Sequence, residues 1–342
     1  MPFRLFISIL GLAALGAIVV LAHDALLLIF AAIVIAVTLR GGAGWLSERS
    51  GLSITWALTA LVLTLAGMLI VAGLLAAPSV VQQFEQLSTS LPDAVKQLQE
   101  WLQQYSWGRS LMEQGASGEG SGRVFEGVRR FFSTTFGAAG NLLIVLVLAL
   151  YLAYGAEGYV RGALHIVPPR GRPRAASFFA ECTTMLRHWL FGQLGAMLFT
   201  GIATFVGLLL LGVPFALVLG LLAAALDIIP YIGPFMAAIP AVLVALSQDA
   251  QSALYVGLLF IVIQNLEGNL VTPLVQRRAV DMPPAALISA QLLLGVLFGF
   301  LGVLVAAPLT VVLMVAVQQL YLEEVLEEGR TDAGKSKVDS RK

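Results

Sequence analysis

Two carboxylates interrupt otherwise apolar sequence in the second half of the chain. Asp227 lies in the segment Ala-Leu-Asp-Ile-Ile-Pro, and Glu267 lies in the segment Gln-Asn-Leu-Glu-Gly-Asn. Burying a carboxylate in hydrocarbon costs about 3 kcal/mol or more unless the group is paired, protonated or close to water. We therefore expect both groups to carry a proton or another cation. Each also has a structural interpretation: Asp227 suits a helix cap or turn, and Glu267 suits an ion pair with Arg277 or Arg278.

Side-chain amides accompany these carboxylates. Because an amide both donates and accepts hydrogen bonds, it suits a polyhydroxylated or weakly charged ligand. Amides equally suit hydrogen bonds between membrane helices, which is the structural alternative. The predicted substrate- or ion-binding residues are Asp227, Gln264, Asn265, Glu267, Asn269 and Gln291.

Sequence motifs of enzymes are missing from the chain. The three histidines have no metal-binding spacing, and neither a G-x-S-x-G motif nor a phosphate-binding loop occurs. The one cysteine, Cys182, excludes an intramolecular disulfide and a cysteine-rich metal site. The sequence thus predicts no enzyme, no cofactor, no metal site and no nucleic-acid partner, and it favours transport driven by an existing gradient over an ATP-driven pump.

The composition indicates the class of protein to which the chain belongs. Of 342 residues, 58% are hydrophobic and 12% are charged, against about 25% charged in soluble domains. Such a chain lacks the polar surface that a soluble enzyme, a disordered chain or a disulfide-framed secreted domain needs. With a formal net charge of +0, no bulk field attracts acidic partners. The composition predicts an all-α polytopic membrane protein with the lipid bilayer as its main partner.

The first half contains four apolar segments of spanning character. The first could be a signal peptide, but we interpret it as a retained span that forms a hairpin with the second. A glycine-rich turn is expected at residues 41–44, and the third segment is expected to stop at Pro78. The segments are residues 1–22, 25–39, 54–77 and 140–154.

Residues 80–136 are the only extended region with the composition of a soluble segment. Apolar residues recur there every three or four positions in two patterns, separated by a Gly/Ser-rich break at residues 115–122. The first pattern comprises Val81, Phe84, Leu87, Leu91, Val95, Leu98, Leu102 and Tyr105, and the second Val124, Val128, Phe131 and Phe132. We predict that the first stripe packs on neighbouring subunits of a homo-oligomer or on the membrane surface; a hairpin folding on itself is the alternative.

The arginines indicate the orientation in the membrane. Five arginines between residues 161 and 187 are opposed only by Glu157 and Glu181, which marks this loop as cytoplasmic. Arg40, Arg49, the Arg277–Arg278 pair and the basic C-terminus share that side by the parity of the spans. Both termini are therefore predicted to be cytoplasmic, and residues 80–136 external.

The second half contains helix-breaking residues at regular places. A long span at 189–211 is followed by two short apolar runs around a Pro/Gly break, a pattern that suits a re-entrant hairpin. A further span begins at residue 251, and the last apolar region ends near residue 321. The predicted hinge residues are Pro230, Tyr231, Gly233, Pro234, Pro240, Gly268, Pro273, Gly299, Gly302 and Pro308.

A weak internal repeat relates the two predicted hairpins. Residues 231–240 and 300–308 each contain an aromatic, an aliphatic, a glycine, an Ala-Ala pair and a proline. The first hairpin would enter from outside and the second from inside. Inverted repeats with broken helices are typical of secondary transporters, whose substrate site lies near the midplane.

Three ordered stretches carry a resemblance to a known family. They are Asp-Ile-Ile-Pro-Tyr-Ile-Gly-Pro-Phe at 227–235, Gln-Asn-Leu-Glu-Gly-Asn-Leu-Val-Thr-Pro at 264–273, and Phe-Gly-Phe-Leu-Gly-Val-Leu-Val-Ala-Ala-Pro-Leu at 298–309. Together they resemble the autoinducer-2 exporter (AI-2E) family, the PerM-like permeases. The resemblance implies a bacterial inner-membrane protein of about eight transmembrane elements that exports autoinducer-2 or exchanges sodium for protons.

The sequence-based division of the chain has five parts. Its boundaries are a transmembrane scaffold at 1–77, an external helical region at 78–139, a fourth span and basic loop at 140–184, a transport core at 185–322 and a charged tail at 323–342. The predicted function is gradient-driven export of a small polar solute, coupled to a proton or sodium ion. A sodium/proton antiporter, a passive channel and a membrane scaffold are the alternatives.

Overall fold

The structure, a computed structural model, describes residues 22–104, 139–275 and 283–319. These residues form helices and turns, with no strand among them, which confirms the all-α prediction. The nine α-helices of the described residues are α1 His23–Ser50, α2 Ile54–Gln103, α3 Ala139–Ile166, α4 Arg172–Leu210, α5 Ala216–Leu226, α6 Ile232–Leu246, α7 Ala250–Leu266, α8 Thr272–Val275 and α9 Pro284–Val317. A 3₁₀ turn, Pro169–Gly171, precedes α4, and a π-helical turn, Glu267–Val271, links α7 to α8.

Six stretches of the described residues are long and apolar enough to cross a membrane. They include α1, α3 and α9, the first part of α2, the 3₁₀ turn with α4, and α7 with the π turn. Two shorter apolar helices, α5 and α6, add to these. The chain is therefore a polytopic membrane protein. The predicted first span, the Gly/Ser break, the second amphipathic pattern, the Arg277–Arg278 pair and the charged tail lie outside the described residues.

The chain divides into two compact units. The first comprises Met1–Leu58, Asn141–Trp189 and Arg278–Lys342, and the second comprises Thr59–Gly140 and Leu190–Arg277. The second unit contains Asp227 and Glu267, and the first contains Gln291. The segments of the predicted transport core, 185–322, are thus distributed over both units.

In the first unit, α1 packs against α3 through small residues. Ala32 and Ala149 are fully buried and Val145 is nearly so. Arg40 joins the same two helices because its guanidinium donates to the Ala153 carbonyl at 2.9 Å. Such packing explains why the predicted turn at residues 41–44 is wrong: α1 runs through these glycines and ends at Ser50. The turn follows instead at Gly51, whose φ of 70° is left-handed.

Helix α2 does not stop at Pro78, contrary to the prediction. It continues to Gln103 and has 50 residues in total, about 75 Å at 1.5 Å per residue, whereas the hydrocarbon core is about 30 Å thick. The part beyond Pro78 is held by contacts within its own unit: Leu87 is 4% exposed, and Phe84 packs on the same hydrophobic cluster. For Phe84 and Leu87 the predicted partner, a neighbouring subunit or the membrane surface, is therefore corrected to the chain's own core.

The core of the second unit is formed by α4, α5, α6 and α7 with this part of α2. Glycines allow α4 and α5 to approach closely: a Cβ on Gly201 would lie 2.6 Å from the Ala224 Cβ, and one on Gly220 would lie 2.7 Å from the Phe205 Cβ. Small residues permit such contacts between membrane helices. Helix α4 ends at Leu210, and a Schellman-type turn at Gly212 follows, in which Val213 N donates to the Leu208 carbonyl.

The first predicted hairpin is present. Helices α5 and α6 have 11 and 15 residues, too short for about 30 Å of hydrocarbon at 1.5 Å per residue. Gly233 is needed where they meet, because a Cβ there would lie 2.0 Å from the Leu226 carbonyl oxygen. Pro240 is buried inside α6.

The second predicted hairpin has the same construction. Helix α9 contains one non-helical residue, Gly299, with φ 64° and ψ −147°. Beyond it the chain folds back, since a Cβ on Gly302 would lie 2.1 Å from the Leu294 carbonyl oxygen. Gly233 and Gly302, equivalent in the proposed repeat, therefore each contact a carbonyl of the preceding arm, which supports the repeat.

Candidate functional site

Asp227 lies at the end of α5, inside the second unit. Its side chain is 1% exposed. Its backbone is held from two sides, because its N–H donates to the Ala223 carbonyl at 3.0 Å and its carbonyl accepts from Gln193 Nε2 at 2.6 Å. Among the described residues, Oδ2 of Asp227 has no hydrogen-bond partner. A buried carboxylate oxygen without a donor is costly, so Asp227 is a candidate for binding a proton or another cation.

A strained turn follows Asp227. Tyr231 has φ 65° and ψ −49°, and Ile232 N donates to the Pro230 carbonyl at 2.8 Å across it. This is the geometry of a classic γ-turn, which is rare and strained for a residue with a Cβ. The turn connects the end of α5 to the beginning of α6, and Asp227 is the first residue of this connection.

Glu267 occupies a second irregularity. It is the first residue of the π-helical turn Glu267–Val271, which follows α7. Single π turns within α-helices are frequent at functional sites. Pro273 contributes to this irregularity because it has no N–H to donate to the carbonyl of residue 269. Each of the two carboxylates therefore lies where a helix departs from regular geometry.

The Thr200 side chain lies beside these carboxylates. Its hydroxyl donates to Oε2 of Glu267 at 3.2 Å, and the Asp227 carboxyl group also lies near it. Gln264 Nε2 donates to the same Glu267 oxygen at 3.4 Å. Asp227 and Glu267 are close enough to repel each other when both are ionised. We call Thr200, Asp227, Gln264 and Glu267 the carboxylate cluster.

A groove of about 340 Å³ lies beside the carboxylate cluster, between α6 and α7. Its lining is mostly apolar and includes Phe235 and Phe260, with Gln264 and Asn265 as the polar residues. Because Gln264 belongs to both, it connects the groove to Glu267. A largely apolar groove with a few amides can hold a small polar molecule by a limited number of hydrogen bonds.

The remaining predicted binding residues lie elsewhere. Asn265 and Asn269 are exposed, and their amides donate to the carbonyls of Ile261 and Asn265 at 2.8 and 3.0 Å. The two amides thus bind backbone carbonyls near the end of α7. Gln291 is fully buried, in the first unit. Of the predicted set, the structure groups Asp227, Gln264 and Glu267, and places Asn265 at the groove.

The predicted hinge residues fall at three places. One group lies at the first break and in α6, a second at the π turn and α8, and a third in α9. In order these groups are Pro230, Tyr231, Gly233, Pro234 and Pro240; then Gly268 and Pro273; then Gly299, Gly302 and Pro308.

Sequence reasoning missed Thr200 as a site residue. A threonine in an apolar helix usually bonds a carbonyl of its own helix, so its type carries no signal of function. The neighbouring Gly201 was an indirect sign, because a glycine in a membrane helix often marks a close crossing. Gln193 also stands out in an apolar run, but the sequence gives no sign of its contact with the backbone of Asp227.

Comparisons with known proteins agree with this architecture. The family model described as "AI-2E family transporter" matches residues 6–322. The chain is 30% identical over 247 residues to the "Putative transport protein YueF" of Bacillus subtilis, covering 68% of this chain and 67% of that protein. It is 27% identical over 169 residues to the "Putative permease PerM" of Escherichia coli, covering 49% and 48%.

A further relative aligns with this chain over about half of its length. The "Putative transport protein YrrI" of Bacillus subtilis is 31% identical over 168 residues, 49% of this chain and 48% of that protein. The chain thus spans about half the length of YrrI and PerM. The match to the family model nevertheless covers nearly the whole chain, and the relatives are named as transport proteins and permeases. This polytopic membrane protein belongs to the AI-2E transporter family.

Proposed function

We propose that the chain is a gradient-driven exporter of a small polar solute and that the carboxylate cluster carries the coupling cation. The observation that carries this proposal is the pair formed by Asp227 and Glu267, which both lie near Thr200 within an apolar unit, with Thr200 hydrogen-bonded to Glu267. Two negative charges at close range in a medium of low dielectric constant are unfavourable unless a cation joins them. A proton or a sodium ion bound there would remove the repulsion.

The backbone irregularities support the same proposal. Broken helices at the centre of secondary transporters leave carbonyls and helix ends available for ions and substrate. Here Asp227 directly follows α5 and precedes the γ-turn, and Glu267 begins the π turn. A change in cation occupancy would alter the repulsion between these two carboxylates, each of which lies at the end of a helix. We infer that cation release and solute movement are coupled at this place.

The groove beside Gln264 supports a small solute. Family membership favours autoinducer-2 as that solute, and the carboxylate pair favours sodium/proton exchange as a second candidate function. A passive channel needs no cation-binding carboxylates, and a scaffold needs neither the pair nor the groove. The groove and the cluster therefore support a coupled transporter over both of these.

Purified protein in liposomes tests the two candidate functions side by side. Proton and sodium fluxes are followed with pH- and sodium-sensitive dyes inside the vesicles, and autoinducer-2 flux is followed with a bioassay of the external solution. We expect autoinducer-2 efflux that depends on an imposed proton or sodium gradient. Cation exchange without autoinducer-2 flux would select the antiporter, and solute flux that ignores every gradient would select the channel.

We further propose that the protein lies in the bacterial inner membrane with both termini cytoplasmic. The loop rich in arginine, including Arg170 and Arg172, supports this orientation. A cysteine introduced at Ser117 in a Cys182→Ala background should react with an impermeant maleimide added to intact spheroplasts. Labelling only after lysis would reverse the orientation. Alanine is the better replacement because Cys182 is 7% exposed.

A further inference from the structure

A cavity of about 740 Å³ lies between α1, α3 and α4, and all its lining residues belong to the first unit. Its wall is mostly aliphatic and includes Ile33, Val37 and Leu152. Three arginines, Arg40, Arg161 and Arg187, and one acid, Glu157, form its polar part. The carboxylate cluster lies in the other unit, so this cavity is not the site described above.

The charges of this cavity do not balance. Arg40 Nη2 pairs with Oε1 of Glu157 at 2.6 Å, which uses the only acid of the lining. The Arg161 side chain bonds only within its own helix, where its Nε donates to the Glu157 carbonyl at 3.2 Å. Arg187 makes no hydrogen bond or ion pair with the described residues. Two positive charges therefore remain at the rim of an apolar cleft, where an anionic group would be bound favourably.

The three arginines lie at one boundary of the apolar sequence. Arg40 follows the apolar run 25–39, Arg161 follows the run 140–154, and Arg187 precedes the run 189–211. Tyr159, also at the rim, is 55% exposed, and tyrosine is typical of the interface between hydrocarbon and headgroups. The lining aliphatic residue Ile33 is itself 40% exposed, so the cavity opens to the surface of the unit.

We propose that this cavity binds one anionic phospholipid, with its phosphate at Arg161 and Arg187 and an acyl chain along Ile33, Val37 and Leu152. The apolar wall distinguishes a lipid from free phosphate, which would use the arginines alone. Basic pockets between transmembrane helices commonly take anionic headgroups. Gly41 lines the cavity as well, and its lack of a side chain leaves room beside the Arg40–Glu157 pair.

Native mass spectrometry of the full-length protein in detergent tests this proposal. Phosphatidylglycerol and phosphatidylcholine with the same acyl chains are titrated, and inorganic phosphate forms a third arm. We expect phosphatidylglycerol to bind with a preference that the Arg161→Gln/Arg187→Gln double variant weakens about tenfold or more. The Arg170→Gln variant, which removes the same charge outside the cavity, should keep wild-type binding.

Thermal melting keeps the test decisive if the double variant folds poorly. Phosphatidylglycerol should raise the melting temperature of the wild type, and each single variant, Arg161→Gln or Arg187→Gln, should reduce that increase. Equal binding of the two lipids, or stabilisation by inorganic phosphate to the same extent, would overturn the lipid assignment. Lipid binding that appears only after Glu323, Glu324, Glu327 and Glu328 are replaced by glutamine would identify the chain's own tail as the occupant instead.

Discussion

The hydroxyl of Thr200 donates a hydrogen bond to the carboxylate of Glu267 at 3.2 Å, across 67 positions of sequence. Gly201, the next residue of α4, lets α5 approach α4 closely, and Asp227 directly follows α5. The bond thus joins the middle of α4 to the first residue of the π turn. If the carboxylate cluster is the coupling site, this hydroxyl sets the position of its most exposed acid.

Replacing Thr200 by valine should therefore impair both folding stability and transport. A hydrogen bond to a charged group contributes about 1.5–3 kcal/mol to stability, and Thr200→Ser should retain most of it. The matched control is Thr204→Val, one turn along α4, whose hydroxyl is buried without a partner among the described residues. The measurements are the melting temperature in detergent and the flux in liposomes. Equal effects of Thr200→Val and Thr204→Val would show that the bond to Glu267 contributes nothing.

The glycines of the two hairpins should tolerate no side chain. In Gly233→Ala and Gly302→Ala the added methyl group would meet a backbone carbonyl at 2.0 and 2.1 Å. Displacing a backbone carbonyl costs more free energy than displacing a flexible side chain, so each variant should lose about 2 kcal/mol or more of stability. Gly257→Ala is the control, because nothing lies within 4 Å of its added methyl group and alanine is favoured in a helix by about 1 kcal/mol. Melting temperatures that do not separate these variants would contradict the hairpin geometry.

The extended part of α2 should stabilise the second unit through one face only. Leu87→Ala removes a side chain that is 4% exposed, and such truncations cost about 2–5 kcal/mol. Val81→Ala, on the same helix but 55% exposed, should cost less than about 1 kcal/mol. Detergent melting curves compare the two. A native mass spectrum in which Leu87→Ala dissociates an oligomer while the melting temperature stays unchanged would restore the subunit interface that the sequence suggested.

The sequence predicted the helix breaks better than the helix ends. Pro/Gly clusters at residues 230–234 and around Gly299 to Gly302 correctly indicated two hairpins, because these residues impose local backbone geometry. The turn at 41–44 and the stop at Pro78 were wrong since packing and length outweigh single glycines and prolines within long helices. Phe84 and Leu87 were correctly assigned to an apolar face, but periodicity says nothing about which surface covers it.

The carboxylate cluster was predictable only in part. Asp227 and Glu267 are conspicuous because charges are rare in apolar sequence, and Gln264 lies one turn from Glu267. That both acids lie near Thr200 depends on how α4, α5 and α7 pack, and α4 and α5 pack closely because Gly201 and Gly220 have no side chain. Asn265 and Asn269 are polar like the residues of the carboxylate cluster, but their amides donate to backbone carbonyls of α7.

The most direct test is the pH dependence of transport by Glu267→Gln, with Asp227→Asn measured in parallel. If the carboxylate cluster binds the coupling cation, Glu267→Gln should fold with a melting temperature close to the wild type and lose the pH dependence of solute flux in liposomes. Asp227→Asn should lose coupling as well. Because Asp227 is the more deeply buried and its backbone is held by Ala223 and Gln193, the melting temperature of this variant is also expected to change. Wild-type rates at every pH in the Glu267→Gln protein would contradict the coupling role and favour a passive channel.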